Sequence, residues 1–371
     1  MGFLVLTHVV HKKKGNDFYG YAPYVREMNL WFKYVDRVVV VAPLCNEAPS
    51  NIDLAYNQEN LDFVKIPEIA FISVKSAIRA LFKLPIIFFS IFQACRKASH
   101  IHLRCPGNIG LLGCLVQMLF PSKIKTAKYA GNWDPNSKQP LSYRIQKRIL
   151  SNTFLTKRMK VLVYGKWKNQ SKNIKAFFTA TYTENEIEPI KKRNYSEKLN
   201  FIFTGSLVEG KRPLLAIKVI EQLKDMGKDV TLELFGDGLL KQQLQTYIIA
   251  NKLQEHVKIH GNKPKSEIKE VLKRAHFLML ASKSEGWPKA IAEAMFFGTI
   301  PIATKISCVP YMLDEGKRGI LIDPNVEHIV NNILNCLLGA DLLIEMSELA
   351  AQWSQEYTLD LFESEIKKLL I

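Results

Sequence analysis

NFIFTGSLVEGKRPLLAIKVIEQLKDMGKDVTLELFGDG, running from Asn200 to Gly238, is the stretch on which the fold turns. NFIFTGSL reads as a buried strand. PLLAIKVIEQLKDMG reads as a helix whose Ala216, Ile217, Ile220 and Leu223 fall on one face, and VTLELFGDG as a second strand that closes in a Gly turn. Strand, helix and strand at this spacing predict a parallel pair joined by a crossover. The first connection carries Gly205, four residues, then Gly210-Lys211, which nearly spells the P-loop of nucleoside triphosphatases. A working P-loop needs Ser or Thr after the Lys to hold Mg²⁺, and Arg212 stands there. The later apolar strand FLML runs into Ala281 and Ser282 with no carboxylate for a metal, so the triphosphatase reading is set aside. A Gly-bearing turn before a helix that opens at Pro213 still offers amides and an ammonium to an anion. Lys211 therefore remains a phosphate-ligand candidate.

The alternation continues through SEIKEVLKRA, FLMLA, PKAIAEAMFFG and IPIAT. The first half alternates as well: FLVLTH, a helix over YAPYVREMNLWF, RVVVVAP, a long helix near 71–97, HIHLR, a helix after Pro106, IKTAKYAG, KVLVYG and FFTATYT. Two doubly wound α/β units are the expectation, with ligands beyond the carboxyl ends of their strands. The polar, highly charged KKRNYSEKLN reads as the linker. The expected division is residues 1–190, a linker at 191–200, residues 201–355, and a closing helix over 356–371.

A chain of 371 residues suits two such cores, and 47% hydrophobic with 23% charged residues excludes a disordered chain. Its formal net charge of +16 is unevenly placed. Through residue 190 there are 27 basic and 12 acidic side chains; beyond it there are 24 and 23. The halves are electrostatically different objects. Cys45, Cys95, Cys105, Cys114, Cys308 and Cys336 lack CxxC spacing and sit mostly in apolar runs, as reduced core thiols of a cytosolic protein do. MGFLVLTHVVHKKKG puts its basic cluster after the apolar run, the reverse of a secretory signal, and reads as a first strand.

SEGWPKAIAEAM carries the candidate chemistry. Glu285 stands in the loop before the helix that Pro288 opens, and Glu293 lies five residues further, a rise of about 7.5 Å. Between them the amides of Gly286, Trp287 and Lys289 crowd a helix N-terminus, which attracts diphosphate. Carboxylates accept from sugar and ribose hydroxyls. Glu293 sits among Ala290, Ile291, Ala292, Ala294 and Met295, where an unpartnered carboxylate is costly.

The ordered set of Gly205 to Lys211, FGDG at Phe235 to Gly238, HGN at His260 to Asn262, SEGWPKAIAEAMFFGTIPIAT and GILIDP resembles the nucleotide-sugar domain of the family 4 retaining glycosyltransferases over roughly residues 200 to 325. The resemblance implies a GT-B fold, two Rossmann-like domains facing across a cleft, the first binding acceptor and the second the nucleotide diphosphate sugar. It implies retention of configuration, with no metal or other cofactor required. It implies that Glu285 contacts the transferred sugar, Glu293 the ribose, and Lys211 the diphosphate. Gly205, Ser206, Arg212, Gly286, Trp287 and Lys289 complete the donor set, with Gly20 as the glycine of the first domain. The sequence departs from the family at Ser206, where many members carry Arg; Arg212 is the expected substitute. The family's frequent His after IKTAKYAG is absent, which leaves Tyr129, Gly131 and Asn132 as candidate replacements. His102 and Arg104, ending HIHLR, are candidate cleft residues.

The basic excess of the first half, and the run from Arg144 to Lys175 with its aromatics, suit an anionic membrane surface. LPIIFFSIFQAC, Leu84 to Cys95, is too short to span a bilayer. With Lys75, Arg79 and Lys83 before it, it reads either as an interfacial helix or as a buried helix with basic stems reaching solvent. The expected enzyme is a peripheral, cytoplasmic glycosyltransferase acting on a membrane-associated glycan or lipid-linked acceptor in polysaccharide, capsule or lipopolysaccharide synthesis. The alternatives are a nucleotide-sugar epimerase or other enzyme of this fold, and a basic lipid- or nucleic-acid-binding protein with an inactive transferase domain. No helix-turn-helix, RNA-binding motif or zinc spacing supports nucleic acid as a partner. Oligomeric state is not legible.

Overall fold

The computed structural model describes residues 2–69 and 74–370, with side chains for all of these except 74–80. The Lys75 and Arg79 side chains of the expected interfacial helix thus lie outside the described residues. The chain forms two compact units, one running to Phe177 and resuming at Glu363, the other Phe178–Phe362.

In the first unit, β1 (Gly2–Leu6) leads into β2 (Lys12–Lys14) and β3 (Asp17–Tyr21), then α1 (Ala22–Phe32), β4 (Arg37–Pro43), β5 (Asp53–Ala55) and β6 (Leu61–Ile66). The long α2 (Val74–Lys97), β7 (His100–Cys105), α3 (Asn108–Val116), β8 (Ile124–Tyr129), α4 (Leu141–Leu150), β9 (Met159–Tyr164) and β10 (Ile174–Phe177) follow. The main sheet is parallel, in the order β10-β9-β8-β7-β1-β4-β6. Because helices cover both faces of such a sheet, its strands read as nearly continuous apolar runs. Val38, Val40, Val41 and Ala42 of β4 are wholly buried. The direction of winding reverses between β1 and β7, which makes their carboxyl ends the topological switch point.

The second unit holds β11 (Leu199–Thr204), α5 (Pro213–Asp225), β12 (Val230–Phe235), α6 (Lys241–Ala250), β13 (Val257–Gly261), α7 (Lys265–Arg274), β14 (Phe277–Leu280), α8 (Lys289–Phe296) and β15 (Ile300–Thr304). After α9 (Val309–Met312), β16 (Ile320–Ile322), α10 (Val326–Leu337) and α11 (Ala340–Gln355) close it. Its parallel order, β13-β12-β11-β14-β15-β16, puts the switch point between β11 and β14. Ala216, Ile217, Ile220 and Leu223 of α5 are buried on the sheet, as their spacing requires.

The expected linker corrects to a structural segment. Arg193, within 191–200, donates to the carbonyls of Phe297 at 2.7 Å, Gly298 at 2.9 Å and Leu272 at 3.2 Å. One guanidinium thereby serves orphan acceptors where α7 and α8 end. Ahead of it, Tyr182 packs on Phe296 and Phe297 at centroid distances of 5.0 and 4.8 Å, so the unit begins at Phe178. Polar composition suggests solvation, and Lys191, Lys192, Glu197 and Lys198 are indeed exposed, but Arg193 is partnered. The last helix, α12 (Leu359–Leu370), supplies residues to both units. Within the first unit its Glu363 pairs with Lys33 and its Glu365 with Lys175, each at 2.5 Å. By this division the first unit carries 29 basic and 11 acidic side chains and the second 22 and 24, or +18 and −2. No single helix among the described residues is long and apolar enough to cross a membrane.

Candidate active site

The opening stretch lies at the second unit's switch point. After β11 the chain turns at Gly205, whose φ of +149° only glycine adopts readily, and its N–H donates to Phe235 O at 2.9 Å. The FGDG turn lies directly against it: a Cβ on Gly236 would stand 1.9 Å from the Gly205 carbonyl oxygen. A single turn over Glu209–Lys211 then brings Arg212, in the left-handed region at φ 51°, to the start of α5. Lys211 Nζ forms an ion pair with Glu285, and Gly210 O accepts from Lys283 N at 2.8 Å. The two loops that sequence reasoning singled out, 74 residues apart at their charged tips, are thus joined by side chain and backbone. Arg212, the expected substitute phosphate ligand, is half-buried and donates from Nη1 to Ala281 O at 2.8 Å. Ser206 is exposed.

The loop carrying Glu285 is anchored from below. Trp287 is buried against Trp353 and Tyr357, at 6.1 and 5.8 Å between ring centroids. The Gly286 carbonyl accepts from Cys308 Sγ at 3.0 Å and Ser307 Oγ at 3.3 Å. Its ring committed to the core, Trp287 can offer a ligand its backbone, as the sequence reading assumed. α8 then begins at Lys289, whose N-terminal amides carry positive potential. Glu293 accepts from Thr181 Oγ1 at 2.7 Å in a small recess lined also by Lys289 and Tyr357. Burial raises its carboxyl pKa above the ordinary value; Thr181 and the Lys289 and Lys265 cations oppose the shift without cancelling it. Thr181 was missed in the sequence because FFTATYT read as a strand of the first domain, whereas β10 ends at Phe177.

The first unit corrects several expectations. Gly20 is not in a phosphate-facing loop: it lies inside β3, paired with Leu54 of β5, and its missing side chain makes room for His11 and Val25. His102 is wholly buried, bonded to Thr126 Oγ1 at 2.8 Å and 4.5 Å from Trp31, and burial keeps it neutral by lowering its pKa. It is a core residue. Alternation along β7 puts His100, His102 and Arg104 on one face, and that face is covered by α1. Arg104 ion-pairs with Glu27 of α1, which also holds Lys128 of β8 at 2.9 Å, so Arg104 braces the sheet instead of lining a cleft. Tyr129 is buried with its hydroxyl donating to Gln139 at 3.0 Å, and Asn132 Oδ1 caps its own turn at Asp134 N, 2.9 Å away. Gly131 packs on Pro106. Of the three, Tyr129 is buried, while Gly131 and Asn132 are half-buried.

His8 was not singled out. It follows β1 at the first unit's switch point, exposed, with its ring over Gly107: a Cβ there would meet Nδ1 at 2.8 Å. Partial burial and the Arg104 cation lower its pKa, so it is neutral at neutral pH with a lone pair available. A polar residue ending the first predicted strand, FLVLTH, was the available signal.

Residues 184–355 match the model of the family glycosyl transferases group 1. Over this segment the chain is similar to that family. It is 31% identical over 131 residues to the amylovoran biosynthesis glycosyltransferase AmsK of Erwinia amylovora, covering 34% of this chain and 32% of that one. It is 32% identical over 133 residues to the putative colanic acid biosynthesis glycosyltransferase WcaL of Escherichia coli, covering 34% and 33%. The chain spans less than half the length of the curated relatives it matches. Over its full length it is similar in structure to Anabaena HepE in complex with UDP and glucose, with TM-score 0.67, 15% identity and coverage of 100% and 99%. At that identity the likeness speaks for the fold, which is GT-B.

Proposed function

We propose that this chain is a retaining glycosyltransferase that takes a nucleotide diphosphate sugar and glycosylates a membrane-associated glycan or lipid-linked acceptor. The observation that carries the reading is the Lys211–Glu285 pair at the second unit's switch point, held between the Gly205–Arg212 turn and the loop entering α8. Such a pair suits a donor with a charged and a hydroxylated end. Lys211 turns to the diphosphate, and Glu285, released, accepts from sugar hydroxyls. As the bond from the anomeric carbon to the diphosphate oxygen breaks, the ammonium and the first amides of α8 stabilise the charge gathering on the leaving group. The acceptor hydroxyl forms the new bond on the same face, and its proton passes to the departing phosphate oxygen. AmsK and WcaL are named for the biosynthesis of amylovoran and colanic acid, which supports a glycan acceptor.

A thermal-shift screen against UDP, GDP, ADP and CMP, followed by turnover with the responding nucleotide's sugars, tests the reading. Stabilisation by none of the four would end it, and conversion of donor without acceptor would make the chain an epimerase.

In this reading Glu293 accepts from the ribose. Glu293→Gln is expected to raise the donor KM about ten-fold, as loss of one charge-assisted hydrogen bond does. Its raised pKa adds a pH signature. The folded state holds this proton to higher pH than the unfolded chain, so the carboxylate's contribution to stability falls as pH rises from 4.5 through its folded value. Donor affinity moves oppositely, increasing over the same range as the acceptor ionises. Titration of nucleotide binding between acid and neutral pH checks both, and a Glu293→Gln profile as steep as the wild type's would contradict the assignment. We infer that His8, at the first unit's switch point, meets the acceptor. His8→Ala is expected to lower kcat about ten-fold while leaving nucleotide affinity unchanged, measured by initial rates beside isothermal titration.

A further inference from the structure

We infer that the outer face of α2, with the loops that continue it, is the surface by which the protein sits on an anionic lipid bilayer. The inference rests on the membrane-bound acceptor proposed above for its purpose, though not for its evidence. An α-helix on a protein surface ordinarily shows an apolar stripe to the core and a polar face to water. α2 breaks that rule. Ile87, Ile91 and Cys95 form its buried seam against the sheet. The opposite side is apolar as well: Leu81 is 60% exposed, Phe82 79%, Ile86 60% and Phe89 62%, at spacings that stack them along one flank.

The apolar surface continues onto the neighbouring elements. Phe92 of α2 packs on Phe120 at 5.3 Å, next to Leu119, which is 56% exposed. Around this surface the charges are basic. Arg96 and Lys97 end the helix exposed, Lys123 lies 5.7 Å from the Phe120 ring centroid, and Arg158 donates to Ser122 O at 2.7 Å. Lys157 lies over the ring of Phe154, itself 74% exposed. Aromatic and aliphatic side chains in the middle with Lys and Arg at the rim are the composition of an interfacial helix.

Charge complementarity chooses the occupant. The unit carrying this face has a formal charge of +18 against −2 for the other. A two-fold contact would set the same cationic rim against itself, whereas an anionic leaflet attracts it. The apolar residues enter the interface, and the basic ones remain at headgroup level.

Co-sedimentation of the full chain with vesicles tests this, using phosphatidylcholine alone and phosphatidylcholine mixed with phosphatidylglycerol, at low and high salt. The wild type is expected to pellet with the anionic vesicles and to bind pure phosphatidylcholine at least about ten-fold more weakly, with salt reducing the difference. Phe82→Ser with Phe89→Ser is expected to lower partitioning at least about ten-fold, with circular dichroism and the nucleotide-induced thermal shift unchanged. Lys97→Glu with Lys157→Glu is expected to remove the preference for anionic lipid. The inference is overturned if the wild type stays in the supernatant at low salt, or if the double Ser variant pellets like the wild type. It is equally overturned if the wild type is a dimer that the Ser substitutions dissociate, because a second copy would then cover the face. Vesicle binding without any nucleotide-induced shift would leave the surface intact and count against the transferase reading alone.

Discussion

Lys211→Ala is expected to lower kcat/KM for the sugar donor by about 100- to 1,000-fold, the cost of removing one preorganised group aimed at developing charge. The loss exceeds that of an ordinary surface lysine because of what it leaves behind. Glu285, whose side chain is 9% exposed, loses its cation and stands as an uncompensated carboxylate where the diphosphate is to bind. Donor affinity therefore falls together with turnover. Glu285→Ala removes the sugar-hydroxyl acceptor and frees the ammonium, so turnover falls while nucleoside diphosphate binding holds or tightens. The double variant regains nucleotide affinity relative to Lys211→Ala without regaining activity. Isothermal titration of the four proteins with the responding nucleotide, beside initial-rate kinetics, separates these effects. Equal loss of nucleotide affinity in both single variants would mean that the pair only fastens two loops together.

A large effect on stability is expected from Glu27→Gln, at about 3–5 kcal/mol in the unfolding of the first unit. Glu27 lies between Arg104 and Lys128, and the Lys128 side chain is 1% exposed. Burial alone would raise the Glu27 carboxyl pKa, but the two cations outweigh it and hold the group well below the usual carboxylate range. The amide variant leaves two buried cations with no counter-charge. Because the folded pKa is depressed, the carboxylate's contribution is complete above 4.5 and is lost as pH falls below it. The gap between wild type and variant should accordingly narrow on acidification. Chemical denaturation at several pH values measures it, and a difference under about 1 kcal/mol at neutral pH would show that the triad is dispensable.

The architecture was legible because parallel sheets covered on both faces write long apolar runs, and helices between them write a period near four. NFIFTGSL, VTLELFGDG, FLML and IPIAT all became neighbouring strands of one sheet. The candidate site was legible in its parts. Lys211 and Glu285 were each suspected from local chemistry, Lys211 as a cation at a Gly turn and Glu285 as a carboxylate before a helix start. HIHLR misled for the complementary reason: alternation shows that His102 and Arg104 share a face, yet not that α1 lies over it with Trp31 and Glu27. The expected linker misled likewise, because KKRNYSEKLN looks solvated until Arg193 is seen bonding the ends of two helices.

Local pattern alone determined the alternating elements, the two parallel sheets, the uneven charge and the rejection of a triphosphatase, since each depends only on which residue types stand near one another along the chain. Tertiary structure decided the partnering: Lys211 with Glu285, Thr181 with Glu293, Glu27 with two cations, and an apolar flank of α2 left exposed among the described residues. A side chain's chemistry is intrinsic, but its charge, accessibility and use depend on what folding brings within a few ångströms, and these partners come from dozens to more than a hundred residues away.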